Sequence, residues 1–140
     1  MQQEGFVPLT KISAPSHLAI GQVKALAQAV HHGLVQTCNV PADDLFQLIA
    51  RFDADAMIFH PTFGGVNRTR DACIVEITFL RGRTDDQKRR LFRYIAQRAV
   101  DAGFRSDDLL VALTENSPLD WSLGGGVAYA DHETASSADA

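Results

Sequence analysis

The sequence predicts an α+β domain in which two β-α-β units form one four-stranded sheet with two helices on the same face. Three observations predict this fold class: a weak internal repeat, an apolar stripe at helical spacing in each copy, and strand-like runs on both sides of each stripe. In the repeat, NVPADDLFQLIARF (39–52) aligns without a gap with GFRSDDLLVALTEN (103–116). A helical crossover makes the two strands of one unit parallel.

Both predicted helices have recognisable ends. Apolar residues recur every three or four positions in 19–38 and again in 84–102, which is the spacing of an amphipathic helix. Asn39 and Gly103 follow these stripes, at the position where a residue with positive φ commonly ends a helix. The second stripe begins with TDDQ (84–87), a typical capping box.

Four runs alternate or accumulate apolar residues in the manner of strands. Each unit has one such run before its helix and one after it. A short hairpin and a further small strand are predicted as additions to this sheet. The four runs are 7–13, 45–51, 73–81 and 109–115, and the two additions lie at 56–60 and near 127–129.

The run 73–81 is apolar on both sides, although the two helices cover only one face of the sheet. A sheet that is apolar on both faces needs a second cover. We therefore expect a homo-oligomer, and the alternative is that PLDWSLGGGVAYA (118–130) folds back over the face. The apolar side chains are Cys73, Val75, Ile77 and Phe79 on one side and Ile74 and Leu80 on the other.

Composition excludes several classes of function. The formal net charge of −4 gives no electrostatic reason to expect nucleic acid or an anionic membrane as a partner. No apolar stretch is long enough to span a bilayer, and MQQEGF (1–6) lacks the features of a signal peptide, so a cytoplasmic location is expected. Cys38 and Cys73 are interpreted as reduced core residues, and the histidines show no metal-ligand spacing, so no metal is expected.

Two arginines follow the third strand as Arg81-Gly-Arg83. If the chain stays extended through Gly82, both side chains point to the same side. Two guanidinium groups at one strand end suit a carboxylate, which they hold in bidentate fashion. The alternative is a solvated pair before a helix. Arg70, in the glycine-containing loop 60–72, is a further candidate for anion binding, against the alternative of a solvated loop charge.

Pro8 and Asp44 each have a purely structural interpretation beside a functional one. A proline suits the first position of a strand because it donates no ladder hydrogen bond. Asp43 and Asp44 precede the second strand, where either would cap or turn the chain. The repeat favours this interpretation, because Asp107-Asp108 occupies the equivalent place. Sequence spacing alone does not bring Pro8, Asp44 and Arg81 together.

Four motifs together resemble the tautomerase superfamily and, within it, the malonate semialdehyde decarboxylase group. The resemblance covers residues 8 to about 130 and implies a β-α-β fold, trimeric assembly and an amino-terminal catalytic proline. It also implies a cofactor-independent reaction on a small carboxylate-bearing oxo acid. The motifs are PLTKI (8–12), VPADDLFQ (40–47), RGRTDDQKRRL (81–91) and LTENSPLDWSLGGGVA (113–128).

Carried over by position, the resemblance assigns catalytic roles to a proline, an aspartate and two arginines, and it assigns two side chains to the pocket wall. One wall position carries leucine where the group has a bulkier aromatic residue. The catalytic positions are Pro8, Asp44, Arg81 and Arg83, and the substrate-binding positions are Trp121 and Leu123.

Pro8 is not the first residue of this chain, so its nitrogen is an amide without basicity. Valine's codon GTG is an alternative bacterial start codon, and Gln3-Glu4-Gly5 can be encoded by a purine run that serves as a ribosome-binding sequence. We expect 1–7 to be an N-terminal extension, with MQQEGF as untranslated leader. A gene in which codon 7 is not GTG would contradict this. The single domain then spans 8–130, followed by a disordered tail at 131–140.

Three functions are consistent with this pattern. The leading hypothesis is an enzyme of the malonate semialdehyde decarboxylase type with promiscuous keto–enol tautomerase activity. The second is a keto–enol tautomerase of arylpyruvates. The third is a non-catalytic trimeric binding protein whose Pro8 stays blocked by residues 1–7.

Overall fold

The computed structural model describes residues 7–132. The strands run in the order β2-β1-β3-β4. β1 is parallel to β2, β3 is parallel to β4, and β1 and β3 are antiparallel. The predicted fold class, with two β-α-β units in one four-stranded sheet, is confirmed. The elements are β1 (Leu9–Pro15), α1 (Ile20–Cys38), β2 (Phe46–Phe52), β3 (Cys73–Leu80), α2 (Asp85–Asp101) and β4 (Leu109–Asn116).

The helix ends lie where the sequence predicts them. Asn39 adopts a left-handed φ of 59° and Gly103 a φ of 94°, so both residues turn the chain out of a helix. At the start of α2, the Thr84 hydroxyl accepts a hydrogen bond from the Gln87 amide at 3.0 Å, and the Gln87 side chain accepts one from the Thr84 amide at 2.8 Å. These paired bonds satisfy two amides that the helix itself leaves without partners.

Both helices pack on the same face of the sheet and enclose the core. They approach closely at Gly33, where an added Cβ would lie 3.1 Å from the side chains of Leu91 and Tyr94. A larger residue there would overpack a dense interface. The core joins alternate residues of the strands to one stripe of each helix; it includes Ile12, Val75, Ile77, Phe79, Val23, Leu26, Val30, Leu34, Leu91 and Ile95.

Within residues 7–132, the opposite face of the sheet stays open along the strand β2. Phe46 is 49% exposed and Leu48 is 59% exposed on the edge strand β2. The segment 118–130 does not cover these two side chains, which stay exposed, and its own Leu119 is 70% exposed. The alternative in which this segment folds back over the face does not hold for the part formed by β2.

Two small predicted elements differ from the structure. The predicted hairpin at 56–60 is wrong: Ala54–Ala56 form a 3₁₀ turn, and no strand follows before β3. The amides of Ala56 and Met57 instead donate to the carbonyls of Asp53 and Ala54 at 2.9 and 3.2 Å, so this backbone is bonded locally. The predicted strand near 127–129 is reduced to one antiparallel bridge between Ser122 and Ala128.

The ends of the described range bear on the predicted domain bounds. Residues 1–6 of the predicted extension and 133–140 of the predicted tail lie outside the described residues. Asp131 and His132 continue a helical turn that begins at Tyr129. Among residues 7–132, no helix combines the length and the apolar character needed to cross a bilayer.

Candidate active site

The sheet topology gathers the candidate residues at one end. Leu9 pairs with Thr78 on the antiparallel strand β3, so the start of β1 lies beside the end of β3. Arg81 follows that end, and its amide donates to the Asn116 carbonyl at 2.8 Å. One end of the sheet therefore brings together Pro8, the beginning of β2 and the ends of β3 and β4.

Asp44 lies next to the start of β1. Its Oδ2 accepts a hydrogen bond from the Val7 amide at 3.0 Å, which places the carboxylate one residue away from the Pro8 ring. The turn that carries Asp44 is fixed by its own amide, bonded to the Pro41 carbonyl at 3.0 Å. His31 of α1 also contacts the Ala42 carbonyl at 2.9 Å. Helix and turn together hold the carboxylate in position.

Val7 occupies a strained position. It is buried at 3% exposure, and its φ of 43° lies in the left-handed region. A β-branched residue rarely adopts this conformation, which costs on the order of 1–3 kcal/mol. Its carbonyl carbon acylates the nitrogen of Pro8, which is itself buried. In this form of the chain, Pro8 carries no basic nitrogen.

The environment of Asp44 favours its protonated form. Burial raises the pKa of Asp44 above the ordinary value of 3.8, and the nearby Asp43 raises it further. The Val7 amide and His31 act in the opposite direction but do not cancel the effect of burial. A half-buried carboxyl with a raised pKa is typical of a residue that handles protons.

We expect Asp44→Asn to flatten the pH dependence of stability. Because the pKa of Asp44 is higher in the folded state than in the unfolded state, the folded state binds the proton more tightly. The stabilisation that this proton gives to the folded state is lost as pH rises through the folded pKa. Wild type should therefore lose stability relative to Asp44→Asn from about pH 3.8 upward. Urea midpoints across this range measure the difference.

The neighbouring Asp43→Asn serves as the control for that series. Asp43 is exposed, and burial rather than Asp43 is the leading cause of the Asp44 shift. The control should keep most of the wild-type pH dependence. Identical profiles for wild type and Asp44→Asn would contradict the raised pKa.

The two arginines do not follow an extended strand. Gly82 between them has a φ of 122°, so the condition for both side chains to point the same way is not met. Arg81 is exposed and lies near Asp120: hydrogen bonds from Ser117 lower the pKa of Asp120 most, and Arg81 lowers it further. Arg83 is half-buried, with its Nη1 atom removed from solvent.

Arg83 lies close enough to the end of α1 for its charge to act on Cys38. Burial raises the pKa of the Cys38 thiol, and Arg83 is among the cations that pull it back down. The arginines therefore lie at the same end of the sheet but near different elements.

Trp121 is held at this end by Asn116, a residue to which the sequence motifs assigned no role. Its Nε1 donates a hydrogen bond to Asn116 Oδ1. The turn before it is closed by Ser117, whose amide and hydroxyl both donate to Asp120 Oδ2 at 3.0 Å. The letters SPLD (117–120) are a capping signature that could have revealed this turn. Leu123 follows and is 50% exposed.

Arg70 lies at the other end of the same sheet. It precedes β3, whose first residue Cys73 pairs with Leu109 at the start of β4. Pro8 precedes β1, which runs antiparallel to β3. Within one chain, the fold therefore brings Pro8, Asp44, Arg81, Arg83 and Trp121 to one end and leaves Arg70 away from them.

The class of protein is defined by two β-α-β units, a proline before the first strand and a carboxylate beside that proline. Residues 44–124 match the family described as tautomerase enzyme, and the chain belongs to that family. It is 31% identical over 123 residues to Probable tautomerase YusQ of Bacillus subtilis (strain 168), covering 87% of this chain and 97% of that protein.

Solved structures agree with the family. The FG41 malonate semialdehyde decarboxylase inhibited by 3-bromopropiolate is 34% identical, with a TM-score of 0.83 over 89% of this chain and 96% of the other. The resemblance to the malonate semialdehyde decarboxylase group is thereby confirmed. A fused 4-OT wild type symmetric trimer, 20% identical with a TM-score of 0.72 over 87% and 96% of the two chains, shares the fold.

Proposed function

We propose that this chain is an enzyme that holds a small oxo acid by its carboxylate and uses the imino nitrogen of Pro8 as acid and base. The leading reaction is decarboxylation of a 3-oxo acid of the malonate semialdehyde type, with keto–enol tautomerisation as a side activity. The proposed catalytic residues are Pro8, Asp44, Arg81 and Arg83, and Trp121 and Leu123 line the proposed pocket.

One contact carries the proposal. The hydrogen bond of 3.0 Å from the Val7 amide to Asp44 fixes a carboxylate beside the atom to which Pro8 is joined. In a chain that begins at Pro8, the ring N–H becomes the donor nearest to this carboxylate. Membership of the tautomerase family and the arginines at the same sheet end support the same interpretation.

Decarboxylation at this site follows from the charges. Arg81 and Arg83 hold the substrate carboxylate through charge-assisted hydrogen bonds. Protonated Pro8 donates to the 3-oxo oxygen, so that oxygen accepts the electron pair as the carbon–carbon bond breaks and carbon dioxide leaves. The resulting enol takes a proton from water at carbon and returns its O–H proton to Pro8, which gives the aldehyde. A tautomerase reaction uses the same nitrogen, deprotonated, to move a proton between oxygen and carbon.

The protonation state of Pro8 depends on two opposing influences. An α-amino group ordinarily titrates near neutral pH. The Asp44 carboxylate favours the charged ring nitrogen, while the two guanidinium groups disfavour it. Acid chemistry at Pro8 requires that Asp44 prevail, and base chemistry requires that the arginines prevail.

The reaction requires a free nitrogen, so we propose that the reactive form begins at Pro8. Its domain would be residues 8–130, with 1–7 absent from that form. The burial of Val7 and its bond to Asp44 favour a second candidate. In that candidate residues 1–7 are retained, Pro8 stays acylated and the protein binds oxo acids without turning them over.

Two assays separate the enzymatic alternatives. Malonate semialdehyde is incubated with a chain that begins at Pro8, and carbon dioxide release is measured. Phenylenolpyruvate is supplied in parallel, and loss of enol absorbance is followed. The proposal expects a higher kcat/KM for carbon dioxide release. A higher value for enol loss would assign the protein as an arylpyruvate tautomerase instead.

We further propose that the open sheet face is buried in a homotrimer. Phe46 and Leu48 expose apolar surface on this face, and large contiguous apolar patches of that kind mark interaction sites. A structure that shares the fold is a symmetric trimer.

Placing a charge at Leu48 tests this assembly. The wild-type chain is expected to sediment as three chains, whereas Leu48→Lys should shift the distribution to smaller species because a buried unpaired charge is costly. Lys24→Leu on the exposed side of α1 is a control away from this face and should leave the assembly unchanged. A wild-type chain that sediments as a monomer would contradict the proposal.

A further inference from the structure

The two units of the fold correspond position by position from the end of each helix through the second strand and the turn that follows it. The gapless alignment that sets Asp44 on Asp108 also sets the 3₁₀ turn Ala54–Ala56 on the turn Pro118–Asp120. It further sets Met57 on Trp121. Because β1 and β2 run antiparallel to β3 and β4, this second set of elements meets at the opposite end of the sheet. The candidate active site therefore has a counterpart within the same chain.

A cavity of about 540 Å³ lies at the counterpart position. Its volume is in the range of small-molecule sites. The apolar part of its wall includes Met57 and Phe59, which align with Trp121 and Leu123. The remaining wall includes Asp55, Arg68 and Arg70, so the two arginines outnumber the single carboxylate.

The segment that carries both arginines is rigidly held. Thr69 donates from its amide and its hydroxyl to the two oxygens of Asp108, each at 2.6 Å. Asp108 is only 1% exposed, and it is the counterpart of Asp44. The carboxylate that faces the Pro8 end in the first unit thus clamps the arginine-bearing segment in the second.

The two arginines differ in their freedom. Arg68 is fixed, because its Nη1 donates to the carbonyls of His60 and Phe63 at 3.0 and 2.8 Å. Arg70 is exposed, and within residues 7–132 no hydrogen bond or ion pair engages its guanidinium. The fixed guanidinium of Arg68 and the exposed guanidinium of Arg70 suit a carboxylate, and the apolar wall would cover the rest of a small ligand.

The counterpart site lacks a reactive amine. Cys73 occupies the position that corresponds to Pro8, because Leu9 pairs with Phe46 as Ile74 pairs with Leu110, and Cys73 is fully buried within the continuous chain. The position of Arg81 is taken by Ser16, whose amide donates to the Phe52 carbonyl at 2.7 Å as the Arg81 amide donates to the Asn116 carbonyl at 2.8 Å. This end of the sheet can hold an anion but has no free imino nitrogen to transform it.

We infer that the cavity lined by Met57, Phe59, Arg68 and Arg70 is a second, non-catalytic binding site for a small carboxylate. It is distinct from the Pro8 end and does not depend on the state of the Pro8 nitrogen. Arg70 acts there as the mobile anion contact, and Arg68 supplies fixed positive potential. The inference goes beyond the proposed reaction, because binding here needs no turnover.

Malonate is the probe that tests this site. Amide NMR signals of Met57, Phe59 and Thr69 are followed while malonate is titrated into the full chain. Saturable shifts are expected, and Arg70→Ala should raise the dissociation constant for malonate at least tenfold. Arg93→Ala, an exposed arginine of α2, is the matched control and should bind as wild type. Malonamide, which has a similar shape without charge, should cause no saturable shift.

A double variant separates this site from the proposed active site. Arg81→Ala combined with Arg83→Ala should leave malonate binding at Met57 and Phe59 unchanged, whether or not Pro8 is catalytic. Loss of these shifts in the double variant would overturn the inference. Malonate binding near Arg70 would then depend on Arg81 and Arg83, which would assign Arg70 to the Pro8 site of a neighbouring chain. Absence of saturable shifts in wild type, or equal binding by Arg70→Ala and wild type, would overturn it as well.

Discussion

A chain that begins at Pro8 is expected to turn over malonate semialdehyde at least about 100-fold faster than a chain that retains Val7, because general acid–base catalysis contributes roughly 10²–10⁴-fold. Acylation by Val7 removes the basic electron pair and the N–H of the ring nitrogen. It also commits Asp44 to the Val7 amide at 3.0 Å. Both chains are prepared with defined first residues, verified by intact mass, and compared by carbon dioxide release.

Folding must be compared in the same experiment. Val7 is buried, so its removal alters packing as well as chemistry, and the left-handed φ of 43° at this residue is relieved. Circular dichroism and sedimentation should show the same fold and assembly for both chains. Equal, measurable turnover by the two chains, with Val7 intact by mass, would exclude Pro8 as the reacting group. Absence of turnover in both chains would favour the non-catalytic binding protein.

Removing either arginine is expected to lower kcat/KM by roughly 30-fold to several thousand-fold. A buried carboxylate that loses one charge-assisted partner costs about 2–5 kcal/mol, and each 1.36 kcal/mol is tenfold in rate. Arg83→Ala should have the larger effect, since Arg83 is half-buried and Arg81 is exposed. Steady-state kinetics at several substrate concentrations separate the change in KM from that in kcat.

Two further variants sharpen the arginine series. Arg83→Lys keeps the charge but loses the planar fork, so its kcat/KM should lie between those of wild type and Arg83→Ala. Arg93→Ala removes an exposed arginine of α2 and should leave the kinetics unchanged. If Arg81→Ala and Arg83→Ala both match Arg93→Ala, the carboxylate is not held by these side chains.

Local sequence signals predicted the main elements well because their causes are local. Asn39 and Gly103 end helices through their own backbone preference, and Thr84 starts α2 through a bond three residues away. The hairpin at 56–60 failed for a non-local reason. That segment pairs with no strand of the sheet, and the amides of Ala56 and Met57 bond to the preceding turn instead.

The site was harder to predict because topology assembles it. Each β-α-β unit has a predictable internal order, but the antiparallel pairing of β1 with β3 decides that Pro8 meets Arg81. Alternation alone could not orient the arginine pair, since Gly82 between them has a φ of 122° and does not continue the strand. The same topology carries Arg70 to the far end, where the repeat creates a counterpart cavity.

The most direct test of a reactive Pro8 nitrogen is its titration. Proline labelled with ¹⁵N is placed at the first position of a chain that begins at Pro8, and its chemical shift is followed against pH. The kcat/KM profile reports essential groups of the free enzyme, so the account predicts that one limb of the profile has the same apparent pKa as the Pro8 signal. A Pro8 signal that titrates where kcat/KM is flat would contradict it.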